Sequence, residues 1–275
     1  PYLISTSEAQ DPPVYWAGSA STFMLSLATG SAPNVKYAID FQGFLLLLNS
    51  NTRKRGVYYA DNNLITTDPW TNNFDLPSSF DDEITGAVIL NKKLYVFTKF
   101  KIFRVSYVGG NPDFSYQDVK DWGAVPRTIK KATLPDVGEV IICLSWDKHV
   151  RIFDGSEDEI ISTAIEDDND LSPTFLDNIN TAVIDRCFAE LDTNESVYKL
   201  WMPLGSSTRP THMIAYNYRL PKGAFYPYDN QNFMAAIMAE SGNTNDRKLI
   251  AVRSSGLVYQ LDTSNTDAGV AVNDY

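Results

Sequence analysis

Histidine and cysteine are nearly absent from this chain. Its 275 residues hold His149 and His212, Cys143 and Cys187, and no others of either type. Any Ser-His-Asp machinery must therefore use one of two histidines, and no G-x-S-x-G elbow surrounds any serine. Each cysteine lies in an apolar, strand-like run (VIICLSW and RCFAEL). That placement speaks against a disulfide framework or a zinc site and reads as two buried thiols. Positive charge is also short: 23 Lys and Arg stand against 34 Asp and Glu, a formal charge of −11. A general grip on phosphate backbones needs clustered cations, so it is not expected. A surface that nucleic acid slides past remains compatible with this balance. Long apolar runs are missing too. FLLLL at 44–48 is strand-length, so no membrane span is expected, and no charged-then-apolar signal segment opens the chain. No stretch shows a capped helical period. No glycine-rich phosphate loop opens a helix, and VGG at 108–110 and SSG at 254–256 read as turns. The start at Pro1 and the strand-like GVAVNDY at the end read as a piece of a longer polypeptide.

What is present is a recurrence of short strands. Runs rich in Val, Ile, Tyr and Phe alternate with Gly, Pro, Asn and Asp clusters. ITGAVILNKKLYVFTKFKIFRV (84–105) reads as three strands, with turns at Asn91–Lys93 and near Lys99. EVIICLSWDKHVRIFDG (139–155) repeats two of them around Asp147-Lys148, a turn read as the counterpart of Asn91–Lys93. AVIDRCFAELDTNESVYKLWMPL (182–204) gives two longer strands around DTNES. The runs FLLLL, LYVF, EVIICL, VYKLW and LIAV begin at 44, 94, 139, 197 and 249, intervals of roughly 45–58 residues, near the period of four-stranded propeller blades. The following strands GVYYAD, KIFRVS, VRIFDG, MIAYNY and LVYQLD are alike as well. A lone four-stranded sheet leaves both faces and edges uncovered, and stacking sheets around an axis covers them. The expected fold is an all-β propeller of four-stranded blades in one domain, at about 1–30, 35–80, 82–120, 125–175, 180–230 and 233–275. Six blades fit best, the first partial with its gap filled by GVAVNDY or by chain beyond it. Five or seven are alternatives, and a two-sheet sandwich would not need the period.

Candidate chemistry is sparse. Ser145, Asp147 and His149 alternate along one strand face, so geometry alone leaves them eligible; a polar hairpin tip is the competing reading. A glycosidase needs a protonated and an ionised carboxyl a fixed distance apart, and Asp40, Asp61, Asp154, Glu190 and Asp262, at strand ends or within strands, are the candidates. The matching positions of Asp61, Asp154 and Asp262 favour a repeated turn role instead. EDDND (166–170) is rich in oxygen ligands but lacks a calcium-loop spacing, so a solvated loop is expected. TRKRG (52–56) reads as a solvated basic hairpin tip. The five tryptophans are spread as packing between blades rather than as a sugar platform. No catalytic, cofactor or metal-binding residue is assigned.

Several stretches, taken together, resemble β-propeller proteins of tailed-bacteriophage tails: RGVYYADNNLITTDPWTNNFDLP (55–77), DEITGAVILNKKLYVFTKFKIFRVSYVGG (82–110), DWGAVPRTI (121–129), IICLSWDKHVRIFDG (141–155), IISTAI (160–165), SVYKLWMPLGSS and MIAYNYRLPKGAFYPYD (within 196–229), and SSGLVYQLD (254–262). The resemblance covers most of the chain and lies in strands and turns, without a catalytic signature. It implies a non-enzymatic virion component of the tail hub, nozzle or adaptor type. Its partners would be other tail proteins and further copies in a ring, with passive contact to passing DNA. The expected interaction loops are Asn51, Arg53, Lys54 and Arg55, and the acidic residues Glu157, Asp158, Glu159, Asp167, Asp168 and Asp170. A propeller that binds or cleaves host-envelope glycans is the alternative.

Overall fold

The structure, a computed structural model, describes residues 3–16, 25–27, 31–61, 64–67, 69–79, 81–110, 113–166, 175–220, 224–240, 247–261, 266–267 and 270–271. The chain divides into two compact units, Pro1–Ala124 and Val125–Tyr275.

The N-terminal unit holds three antiparallel sheets. The first has β1 (Leu3–Ser5), β2 (Val14–Trp16) and β3 (Leu25–Ser26). The second has β4 (Val35–Phe41), β5 (Phe44–Ser50), β6 (Gly56–Asp61) and β7 (Asn73–Asp75). The third has β8 (Ile84–Leu90), β9 (Lys93–Thr98), β10 (Ile102–Tyr107) and β11 (Phe114–Lys120). The C-terminal unit repeats the plan. One sheet holds β12 (Lys130–Leu134), β13 (Gly138–Leu144), β14 (Val150–Phe153) and β15 (Asp158–Ile160). The next holds β16 (Phe188–Asp192), β17 (Val197–Met202), β18 (His212–Asn217) and β19 (Ala224–Tyr228). The last, three-stranded among the described residues, holds β20 (Phe233–Glu240), β21 (Arg247–Arg253) and β22 (Val258–Gln260). Residues Thr266–Asp267 pair with Val270–Ala271 in a short hairpin. Strands pair in sequence order within every sheet.

The second strand of each sheet explains the apolar runs. FLLLLNS of β5 and VYKLWM of β17 are buried along almost their whole length, because both faces are covered. Alternate residues go to opposite sides. Leu45 and Leu47 join a cluster with Leu27 and Val35. Leu46 and Leu48 join Leu94, Val96 and Phe103 of the neighbouring sheet. In the C-terminal unit, Val140, Ile142 and Leu144 meet Tyr198, Leu200 and Met202. Trp201 stacks on Phe188 at 4.9 Å and packs in the cluster that holds Phe233 and Leu249. Each such side chain contributes about 1.5–3 kcal/mol by burial.

Two sequence readings change here. The segment expected as strand from 182 is a 3-10 helix over Thr181–Arg186, and β16 begins only at Phe188. The Asn180 side chain accepts from the Ala182 backbone N–H at 3.1 Å, a cap that starts the helical turn. Asn91 and Lys92, both at positive φ, form the two-residue hairpin joining the first and second strands of their sheet. Asp147-Lys148 joins the second and third strands of its own sheet, so its counterpart is the turn near Lys99 and not Asn91–Lys93.

Gly123 marks a close approach in the N-terminal unit. A Cβ there would lie 1.9 Å from the Thr98 carbonyl oxygen and 2.5 Å from the Lys99 carbonyl carbon, both backbone atoms. Gly123→Ala is expected to destabilise this unit by about 1–3 kcal/mol, the usual range for overpacking. A thermal melt reads the effect; an unchanged midpoint would mean that this contact is not present in solution.

Candidate functional site

The run Ser145–Arg151 is where sequence reasoning comes nearest to a catalytic constellation. Ser145 is buried, and its hydroxyl has its proton within reach of the Asp147 carboxylate and the His149 backbone carbonyl, the latter at 2.9 Å. It also accepts from Arg151 Nε at 3.1 Å. Arg151 is the hub of the group: its guanidinium pairs with Asp147 at 2.7 Å and with Asp158 at 3.0 Å. Burial raises the Asp147 carboxyl pKa, but the Ser145 hydroxyl and Arg151 guanidinium outweigh it and hold the carboxyl below its usual value. The serine hydroxyl thus faces the Arg151 guanidinium, always charged and no general base, and the Asp147 carboxylate, which that same guanidinium holds; its contact with His149 is to the main-chain carbonyl.

Comparison across sheets supplies the physical role of Ser145. In three successive sheets a hydroxyl residue stands at the end of the second strand (Ser50, Thr98) or directly after it (Ser145), and each hydroxyl closes the hairpin that follows. Ser50 Oγ accepts from Arg53 N–H at 2.9 Å. Thr98 Oγ1 accepts from Lys101 N–H at 2.9 Å and Phe100 N–H at 3.3 Å. The backbone repeats with them: Ser50 N–H to Arg53 O at 3.1 Å, Thr98 N–H to Lys101 O at 2.9 Å, Ser145 N–H to His149 O at 2.9 Å, and Arg253 N–H to Leu257 O at 3.0 Å. Ser145 is the third copy of a turn hydroxyl.

The carboxylates are likewise engaged. Asp154 accepts from the backbone N–H groups of Ser156 and Glu157, both at 2.8 Å, the turn role expected for it. Glu190 pairs with Lys130 of the preceding sheet at 2.5 Å. Asp40 is exposed and Asp61 half-buried, while Asp262 lies outside the described residues. The two thiols are free and buried, and burial pushes both up to about 12, far from a reactive thiolate.

The two expected loops divide by residue. Arg53 turns back onto its own sheet, pairing with Asp75 at 2.8 Å and lying 5.4 Å from the Tyr58 ring centroid. Arg55 donates to the Ser78 carbonyl. Asn51 and Lys54 are exposed. In the acidic stretch Asp158 is taken by Arg151, while Glu157 and Glu159 are exposed. Asp167, Asp168 and Asp170 lie outside the described residues. Among the described residues, no group of three or more His, Cys, Asp or Glu side chains is placed to hold a metal ion, and no helix is long and apolar enough to cross a membrane.

Sequence reasoning missed two ionic clusters. Glu83 pairs with Lys99 at 2.8 Å and Lys36 at 3.0 Å, and Asn49 Nδ2 donates to it at 3.3 Å. Lys199, in the middle of β17, is buried with Asp192 at 3.2 Å. Their partners come from separate strands or turns, and only the acidic triplet DDE before ITG hinted at the first.

No protein-family model matches the sequence, and no curated protein matches it. Solved structures do. One is BBS1N, crystallised in complex with ARL6DN, at TM-score 0.55 and 12% identity over 95% of this chain and 75% of that one. A second is a protein of Bacteroides uniformis provisionally named a 6-phosphogluconolactonase, at TM-score 0.57 and 11% identity over 95% of this chain and 78% of that one. A third is the extracellular domain of a provisionally assigned one-component system of B. thetaiotaomicron, at TM-score 0.52 and 10% identity; the match spans 99% of this chain and 33% of that one. At these identities the likeness concerns the fold alone. The fold is an all-β propeller of four-stranded blades.

Proposed function

We propose that this chain is a non-catalytic building part of a bacteriophage tail, whose blades pack against neighbouring subunits around the DNA channel. The observation that carries the packing role is the last blade. One face of β20–β22 is buried through Phe233, Leu249 and Ala251. The opposite face bears Ile237 and Val258, 61% and 65% exposed, with Leu257 at 58% in the adjoining turn. Register places Ile237 opposite Ile250 and Val258 opposite Val252, so the apolar groups are contiguous. An apolar sheet face of this kind marks a contact surface. Its place in a phage tail rests on the resemblance of the blade sequences. The net charge of −11 supports a wall that passes DNA without holding it.

The test is assembly of the full-length protein, read by electron microscopy and sedimentation. Ile237→Asp with Val258→Asp is expected to abolish or strongly reduce higher assemblies while leaving the far-ultraviolet spectrum unchanged. Alanine at Asn51, Lys54, Glu157 and Glu159 is expected to weaken assembly more modestly. Assembly unaffected by both sets would overturn the packing role, and absence of the protein from particles would overturn the tail assignment. A glycan-contacting propeller is the second reading, favoured by a polar cleft at one end of the last two blades.

A further inference from the structure

We propose that this cleft is a binding site for a small hydroxylated anion, a carboxylated or phosphorylated sugar. It has a volume of about 280 Å³ and lies wholly in the C-terminal unit. Three separate connections form it: the β17–β18 loop gives Ser207 to Thr211, the β19–β20 connection gives Asn232, with Met234 at the start of β20, and the β21–β22 turn gives Ser254. In an antiparallel meander the turns alternate ends, so these three connections fall at the same end of adjacent blades.

The lining contains one charged residue, Arg209, and no carboxylate. In a chain of net charge −11 that is a local reversal of sign. Arg209 is exposed, and its guanidinium makes no hydrogen bond or ion pair among the described residues. Arg53, Arg151 and Arg247, by contrast, are each spent on an acidic side chain. A second guanidinium, Arg253, lies 5.2 Å from the ring centroid of Phe233, whose neighbours Asn232 and Met234 line the cleft. A planar five-donor cation is the side chain best suited to a carboxylate or phosphate.

The loop that carries Arg209 is held in place. Asn180 Nδ2 donates to Ser207 O at 2.9 Å, and Arg186 donates to Thr208 O at 2.5 Å. Ser207 Oγ donates to Arg209 O at 2.8 Å, and Gln231 N–H donates to Thr211 O at 2.9 Å. Little backbone ordering is left for a ligand to impose, which favours affinity. Around the cation stand hydroxyl and amide groups, with Pro210 and Met234 as apolar surface. That mixture fits a compact ligand with an anionic end, several hydroxyls and a carbon ring face. The volume lies just below the usual range for drug-sized ligands, which sets the size at about one sugar unit.

Isothermal titration of the full chain tests this, with glucuronate, glucose 6-phosphate, glucose and inorganic phosphate as probes. At least one anionic sugar is expected to bind about tenfold or more tightly than glucose and than inorganic phosphate, and more weakly as salt rises. Glucuronate alone would identify a carboxylate ligand, and glucose 6-phosphate alone a phosphate ester. Arg209→Ala is expected to weaken binding about tenfold or more, and Arg209→Lys less. Ser254→Ala serves as a second variant that keeps the charge and is expected to weaken sugar binding only. No binding by either anionic sugar, equal binding of glucose, equal binding of inorganic phosphate, or an unaltered Arg209→Ala would overturn the proposal. Failure here leaves the packing role untouched, because that role is read from assembly and rests on a different surface.

Discussion

Lys199→Met is expected to destabilise the C-terminal unit by about 3–5 kcal/mol, the range for removing one partner of a buried ion pair. Lys199 is only 5% exposed and sits in the second strand of its blade, between Tyr198 and Leu200, both fully buried. Its ammonium lies 3.2 Å from Asp192, itself buried, and 3.8 Å from Glu195 at the surface. Asp192 also holds the turn between β16 and β17, accepting from Asn194 N–H at 3.0 Å and Glu195 N–H at 3.2 Å. Methionine fills nearly the same volume, so packing changes little. The cost comes from the carboxylate left without its cation in a site with little access to solvent. The double variant Lys199→Met with Asp192→Asn should recover more than half of the loss. Asparagine keeps an acceptor oxygen for the two turn N–H groups and leaves no stranded charge. Urea unfolding followed by tryptophan fluorescence checks both, since Trp201 lies two residues away on the same strand. Equal loss in the single and double variants would assign the effect to packing and refute the ionic account.

The contrast between Lys199 and the strands around it shows what sequence can and cannot convey. Strand positions are legible because each depends on local pattern: β5, β9, β13, β17 and β21 begin within two residues of the apolar runs that mark them. Propeller blades were legible from the spacing of those runs. The 3-10 turn over Thr181–Arg186 was not, since AVIDRCF has strand composition and the Asn180 cap that starts the turn is a side-chain contact the pattern does not show. Ser145 was misleading for a related reason. Its sequence neighbours resemble a catalytic set, and its role as a hairpin hydroxyl emerges only when Ser50 and Thr98 are seen in the same place on other blades. Arg53 and Arg55 read as a basic patch because charge is visible in sequence while the folding-back of a side chain is not. Lys36 and Glu83, 47 residues apart, meet only because consecutive blades bring β4 beside the start of β8.

That last pair makes stability depend on pH. Burial alone would raise the Glu83 carboxyl pKa, and it is the largest single influence. The hydrogen bonds and charges of Lys99 and Lys36 together exceed it and lower the pKa from 4.5 to about 2. In the unfolded chain the same carboxyl returns to about 4.5 and binds a proton more readily than in the fold. Folding is therefore favoured by deprotonation. The contribution is fully present above about pH 4.5 and is lost as pH falls towards about 2, where both states are protonated. A displacement of this size corresponds to at most roughly 3 kcal/mol, and solvent around the partly exposed Lys36 and Lys99 reduces it. Glu83→Gln keeps the shape and an acceptor oxygen while removing the charge. The stability difference between the parent and this variant should be greatest at neutral pH, shrink between about pH 4.5 and 2, and vanish below. Taking the difference cancels titrations common to both proteins, including that of Asp147 beside Arg151. Denaturant unfolding at a series of pH values measures it. A difference that stays constant across that window would show that Glu83 acts through packing, and that the two lysines do not hold its charge in the fold.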